Sequence, residues 1–237
     1  YQSPTGVISS FTPIAGAMAT PVALPTATGL RSPTRASPTS LIRYPSGTLV
    51  HPVAAAVVRD TVYAIDGGQL KSLNTSDGEA PGLVAPADGS VAGYPIQELA
   101  ALAYAEQAHA FYVLDRSGAV YGYDLSGRWW LERRSGGASD YGQEYPVALA
   151  TDMRGAYLLD ANNGRIWRKD GATWQAMLTS SELEGGIQLV AAGDLYVHMG
   201  ERAQRSARLR RIRGSNVAPL PVGGGIEEPT RLAAGPD

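Results

Sequence analysis

The sequence predicts an all-β fold. It reads as a β-propeller with four recognisable four-stranded blades plus a partial fifth, part of a five- or six-bladed ring, behind an extended N-terminal segment. Three observations carry that expectation. Short runs of alternating apolar residues, separated by Gly, Asn and Asp, mark strands and tight hairpins rather than helices. A unit of about 39 to 50 residues recurs along the chain, the length of one propeller blade. Each unit opens on an alanine-rich run too short for a helix, which suits strands that crowd toward a ring axis where large side chains do not fit.

Composition narrows the alternatives. The 237 residues include Gly 28 and Pro 16, with 18% charged residues, a profile that favours strands and turns and a length that allows a sizeable core. The absence of cysteine removes disulfides, thiolate nucleophiles and Cys-ligated zinc together. A net charge of -2 gives no global attraction to nucleic acid, which is not expected as a partner. No apolar run approaches the ~18 residues of a membrane-spanning helix, so no direct membrane span is expected in this chain. It opens at Tyr1 without a basic and apolar leader pattern, as a processed or excised piece would.

The elements follow in order. Residues 1–39 are rich in Pro, Thr and Ser with no period of 2 or 3.6; they read as a linker or strap, too poor in buriable surface to offset their ordering entropy. Residues 40–237 form the propeller, with blades at approximately 51–97, 98–144, 145–186 and 187–228. "SLIRY" at 40–44 looks like an orphan outer strand that could close the ring, and 229–237 repeats the Pro plus Ala-rich start of a new blade. The repeat is clearest where "HPVAAAVVRDTVYAIDGGQL" meets "YPVALATDMRGAYLLDANNGRI": Pro52 to Asp66 and Pro146 to Asp160 share one spacing. Second strands are expected at "TVYAI", "AFYVL", "AYLL" and "DLYVH", third strands at "QLKSL", "AVYGY", "RIWRK" and "RLRRI", and outer strands at "RWWLE" and "TWQAM".

Candidate residues divide by role. Asp66, Asp115 and Asp160 end second strands just before Gly-containing turns, where a carboxylate can accept from the turn's N–H groups, so they are expected to be structural turn caps. The loops "PADGSVAGYPIQ", "SGGASDYGQEYP" and "SSELEGG" join blades and place Asp88, Tyr94, Asp140, Tyr141, Tyr145, Glu182 and Glu184 on one rim; tyrosines and carboxylates on rigidly supported loops suit a protein or glycan. Arg205, Arg208, Arg210, Arg211 and Arg213 form a candidate patch for an anionic partner, or a solvated edge that discourages aggregation. The tryptophans Trp129, Trp130, Trp167 and Trp174 are expected to pack between blades. His51, His109 and His198 lack the spacing of a metal site, and no nucleophile elbow or phosphate loop occurs. No catalytic residue, metal or cofactor is expected.

"YPVALATDMRGAYLLDANNGRIWRKD" and "FYVLDRSGAVYGYD" are similar to the propellers that follow Pro/Thr-rich linkers in bacterial membrane-anchored proteins, some bearing a serine/threonine phosphatase-like domain at the other end. More broadly the blades resemble six-bladed NHL and TolB-like propellers. The resemblance implies an extracytoplasmic sensing or scaffolding domain, tethered to the cell envelope by a segment outside this chain. The function expected is therefore a non-catalytic module that binds a protein or envelope component through its rim loops. The alternatives are a structural subunit of a larger extracellular or membrane-associated assembly, and a propeller hydrolase or lyase with a divalent ion in its channel.

Overall fold

The computed structural model describes residues 49–74, 80–134, 146–200 and 208–220. The expected strand at 40–44, the partial blade at 229–237, the linker at 1–39 and Asp140, Tyr141, Tyr145 and Arg205 lie outside the described residues.

Four four-stranded antiparallel sheets follow one another. Blade one holds β1 (Pro52–Val58), β2 (Thr61–Asp66), β3 (Gln69–Asn74) and β4 (Gly82–Leu83). A small hairpin, β5 (Ser90–Val91) and β6 (Tyr94–Pro95), leads to blade two: β7 (Leu99–Ala105), β8 (Ala110–Asp115), β9 (Val120–Asp124) and β10 (Trp129–Arg133). Blade three is β11 (Pro146–Asp152), β12 (Gly155–Asp160), β13 (Arg165–Asp170) and β14 (Thr173–Thr179). Blade four is β15 (Gly186–Ala192), β16 (Asp194–Met199), β17 (Leu209–Arg213) and β18 (Asn216–Pro219). The innermost strands stand side by side in the order β1, β7, β11, β15, so the sheets are blades of a propeller. The fourth strands β4 and β18 were not legible as strands, because two residues and an Asn-Val-Ala-Pro carry no alternation.

Blades two and three bury both faces, which explains why their second strands read as nearly continuous apolar sequence rather than as alternation. Successive side chains of a strand point to opposite faces. Thus Ala156 and Leu158 of β12 pack with Tyr112, Leu114 and Val120 of blade two, while Tyr157 and Leu159 pack with Leu189, Leu195 and Val197 of blade four. Between blades one and two the cluster is aromatic: Phe111 lies 4.6 Å from Tyr63 and 4.9 Å from Tyr104, ring centre to ring centre. Direct polar locks reinforce these junctions. Thr151 Oγ1 donates to the Tyr104 carbonyl at 2.6 Å, and Lys169 Nζ meets Glu132 Oε2 at 2.6 Å. Tyr121 donates its hydroxyl to the Pro95 carbonyl at 3.0 Å, and burial followed by the charge of Asp115 pushes that phenol up to about 12.

The tryptophans behave as packing residues. Trp129 lies on the cluster between blades one and two, and Trp167 and Trp174 on the cluster between two and three. Trp130 lies across the backbone of Gly122, where an added Cβ would fall 2.0 Å from the indole.

A repeated irregularity sits where each blade begins. The register between first and second strand shifts between Pro52 and Ala54, Leu99 and Ala101, Pro146 and Ala148, and Gly186 and Gln188. One residue is therefore bulged out in every blade: Val53, Ala100, Val147 or Ile187. Just before the bulge, Pro52, Leu99 and Pro146 stand opposite Asp66, Asp115 and Asp160.

Those buried carboxylates do more than cap a turn. Asp66 Oδ1 accepts from the Val50 and His51 N–H groups at 2.9 and 2.5 Å, and Oδ2 accepts from Lys71 Nζ at 2.6 Å. Asp115 Oδ2 accepts from Gln97 and Glu98 N–H, both at 2.9 Å, while Oδ1 accepts from Ser117 N–H in the turn at 2.7 Å. Asp160 accepts from Asn163 Nδ2 at 2.8 Å. The turn-cap expectation thus applies to one oxygen of Asp115 and to Asp160, whereas Asp66 and the other Asp115 oxygen clasp the backbone leading into the first strand. Blade four has Met199 in place of the aspartate; there Gly185 N–H donates to the Ala161 carbonyl at 3.1 Å and Gly200 N–H to the Gly185 carbonyl at 3.0 Å.

Burial by itself raises the Asp66 carboxyl, but Lys71 and the His51 and Val50 amides outweigh it and hold the pKa below the ordinary value. A carboxyl lowered by folding stabilises the fold above its unfolded pKa, near 4, and loses that contribution as pH falls through the folded value. Urea denaturation should show Asp66→Asn less stable than wild type at pH 7, with a smaller further loss between about pH 4 and pH 2. Parallel acid limbs for the two proteins would contradict the assignment.

Candidate functional site

The bulges aim side chains at the axis. An inserted residue kinks its strand and redirects its own side chain, and three of the four bulged residues, Val53, Ala100 and Val147, line one cavity of about 520 Å³ at the mouth between blades one, two and three. Its apolar lining is completed by Leu99 and Pro146, and its polar wall by His51, Glu98 and Arg116. Ile187, the bulged residue of blade four, is 52% exposed. The turns between second and third strands and the segments joining blades share this face, as the lining by Gly67 and Gly68 together with Glu98 shows.

Main-chain bonds fix the wall. Leu99 N–H donates to the Gly68 carbonyl at 2.9 Å and Arg116 N–H to the Glu98 carbonyl at 2.8 Å, so the turn of blade one, the start of blade two and the turn of blade two form a connected arc. Arg116 Nε meets Glu98 Oε1 at 2.8 Å with both side chains more than half exposed; such a pair adds little stability and leaves its groups available for exchange with a ligand.

Of the rim residues read from the sequence, the described ones, Asp88, Tyr94, Glu182 and Glu184, fall at two separate junctions. Glu184 packs by its Cγ near Gly164, in the turn of blade three. Glu182 pairs with Arg210 Nη1 at 3.3 Å, and its N–H is held by Ser180 Oγ at 3.3 Å. Leu183 between them is buried among residues of blades three and four, which fixes the "SSELEGG" loop. Asp88 and Tyr94 sit elsewhere: Asp88 accepts from Ser90 N–H and Oγ at 3.1 and 3.0 Å, a local turn, and the Tyr94 ring lies under the Arg134 guanidinium at 5.3 Å, beside β10 on the outer wall.

Among the described residues the arginines of β17 do not converge. Strand alternation sends Arg210 and Arg211 of β17 to opposite faces; Arg210 meets Glu182, and Arg213 makes a two-pronged pair with Asp194, its Nη2 at 2.8 Å. Arg213 and then its charge, with Arg211 and Arg154 adding, hold Asp194 below the usual carboxylate range despite the opposing effect of burial. Nearby His198 is 4% exposed, and burial followed by the charge of Arg208 lowers its pKa. Among the described residues no three His, Asp or Glu side chains are grouped as metal ligands.

No family model matches the chain, and no curated protein matches it. Among solved structures, the WD40 repeats of RRP9 match with a TM-score of 0.53 at 10% identity, over 72% of this chain and 51% of that one. The chain is a β-propeller. A likeness at such identity shows the fold alone. A structural-genomics protein of unknown function from Bacteroides thetaiotaomicron VPI-5482 matches at 14% identity over 72% of this chain and 43% of that one, TM-score 0.48. The extracellular domain of the putative hybrid two component system BT4673 from B. thetaiotaomicron matches at 9% identity over 77% and 23%, TM-score 0.49. This propeller spans less than half the length of the Bacteroides structural-genomics chain.

The mouth residues were missed from sequence because Glu98, Arg116 and His51 belong to no motif; the signal available was their place next to each Asp-bearing turn. Gly68 is the tightest point, with φ +77 and an added Cβ 2.8 Å from the Glu98 Cγ. Gly68→Ala should cost about 1–2 kcal/mol in urea unfolding, whereas Arg116→Ala should change stability by less than about 1 kcal/mol. The reverse order would show that the wall depends on the ion pair rather than on the backbone arc.

Proposed function

We propose that the protein is a non-catalytic binding or scaffolding module that recognises a protein or cell-envelope component through the axial mouth and its surrounding loops. The observation that carries this reading is the recurring bulge, which places Val53, Ala100 and Val147 in a cavity walled by His51, Glu98 and Arg116. Apolar contacts ringed by exchangeable charges suit a partner loop or extended segment. The buried aspartates, the strongest carboxylate candidates for chemistry, are occupied in holding backbone. On the sequence argument of tyrosines and carboxylates in interblade loops, Asp140, Tyr141, Tyr145 and Glu184 are proposed as further contacts of that partner.

An extracytoplasmic setting fits the Pro/Thr/Ser-rich residues 1–39 and the resemblance to NHL and TolB-like propellers. Among the described residues no helix is long and apolar enough to cross a membrane.

A photo-reactive residue at position 51 or 184 should capture one and the same protein from an envelope fraction. The same probe at Met153, on the β11–β12 turn of the opposite face and 77% exposed, should not. Binding of that protein should then weaken at least about fivefold in Arg116→Ala and in Tyr141→Ala/Tyr145→Ala, with folding intact. Equal capture from both faces, or unchanged affinity, overturns the proposal.

A further inference from the structure

The outer strand of blade two differs from the other long outer strand. All five residues of β10 are half-buried, whereas five of the seven residues of β14 are exposed. Between β10 and the β5–β6 hairpin lies a cavity of about 450 Å³, lined by residues 129–134 with Val91 and Ala92. Trp129 and Leu131 pack toward the cluster of blades one and two, while Glu132 meets Lys169 of blade three. Residues of both faces thus line the cavity, so it opens on the edge of the strand. Register shows which main-chain groups point there. Asp124 N–H donates to the Arg128 carbonyl at 3.0 Å, and Trp129 and Trp130 stand opposite Tyr123 and Gly122. Main-chain groups alternate in direction along a strand, so those of Arg128 and Trp130 face β9 and those of Trp129 and Leu131 face away from it, toward the cavity. Among the described residues these outward groups have no main-chain partner. At the hairpin tip Ala92 holds φ +52, where Asn or Gly is usual, and adds no more than a methyl group to the opposite wall.

We propose that the edge of β10 receives an extended, acidic segment of a partner protein as a further strand, at a surface separate from the axial mouth. An edge strand with outward N–H and C=O groups is a template for such addition. Charge selects the occupant. The carboxylate in the described wall, Glu132, is already held by Lys169 Nζ at 2.6 Å and by Trp130 Nε1 at 2.5 Å. The other charges of that wall are Arg133 and Arg134. Each guanidinium lies over a ring, Arg133 over Trp167 at 5.2 Å and Arg134 over Tyr94 at 5.3 Å. A guanidinium stacked on a ring still offers the N–H fork at its rim to a carboxylate. The two rings lie on opposite sides of β10, Trp167 in blade three and Tyr94 in the hairpin. Successive side chains of an added strand also alternate, so neighbouring residues can meet the two arginines. The segment that fits therefore carries two adjacent Asp or Glu residues.

The probe is the fluorescein-tagged peptide Thr-Val-Thr-Val-Glu-Glu-Val-Thr, titrated with the full chain and read by anisotropy. It should bind at least about tenfold more tightly than its Lys-Lys counterpart, and Arg134→Glu, at an exposed position, should erase that preference. With the peptide at saturation, hydrogen exchange at the Trp129 and Leu131 amides should slow at least about tenfold, while Trp130, already bonded to β9, changes little. Leu131→Pro removes an outward donor at a place where an edge strand tolerates proline, and should weaken the peptide at least about tenfold. Equal affinity for the two peptides, a preference that survives Arg134→Glu, or unchanged exchange at Trp129 and Leu131 would each overturn the proposal. So would protection of those two amides that rises with protein concentration in the absence of peptide, the mark of a second copy of this chain on the edge.

Discussion

A carboxylate buried at the end of the second strand sets the geometry at the top of a blade. Asp115 binds the turn ahead of it through one oxygen and the lead-in to its own first strand through the other. Asp66 does the second of these with Val50 and His51. A buried carboxylate without donors is strongly disfavoured, so the backbone must arrive where it satisfies the charge. That arrival, followed by the one-residue bulge, decides where Val53 and Ala100 point. The axial mouth is therefore a consequence of the clasp, although neither Asp66 nor Asp115 lines it.

Packing between blades depends on the same constraint at one remove. With the strand starts fixed, alternation delivers Leu158 to one neighbour and Leu159 to the other, and both faces of blades two and three become core. Blade four shows that the clasp has a substitute. Met199 stands where the aspartate would be, and main-chain bonds among Ala161, Gly185 and Gly200 hold the junction instead. The neutral junction joins the blade whose β17 carries three of the arginine-rich segment's charges, Arg210, Arg211 and Arg213, where Glu182 and Asp194 already neutralise Arg210 and Arg213.

The repeat was legible because Pro52 and Asp66, like Pro146 and Asp160, are paired across one hairpin, and pairing fixes spacing. The bulge was not legible for the same reason: an extra residue present in every blade leaves the period unchanged. The aspartates were recognised as structural, but their reach to Val50, His51, Gln97 and Glu98 depends on tertiary arrival that no local pattern encodes. Of the expected rim, Asp88, Tyr94, Glu182 and Glu184 lie among the described residues. Interblade loops share a face, yet Tyr94 packs under Arg134 on the outer wall, and the arginine run was divided by strand alternation that the sequence already contained.

The central claim is that a single buried carboxylate holds the lead-in of its own first strand. Residue-resolved hydrogen exchange in wild type and Asp115→Asn tests it most directly. Exchange should accelerate at least about tenfold at the Gln97, Glu98 and Ser117 amides, with the amides of Leu102 to Ala105 keeping their protection. Unchanged exchange at the first three, or an equal acceleration throughout the blade, would contradict the account.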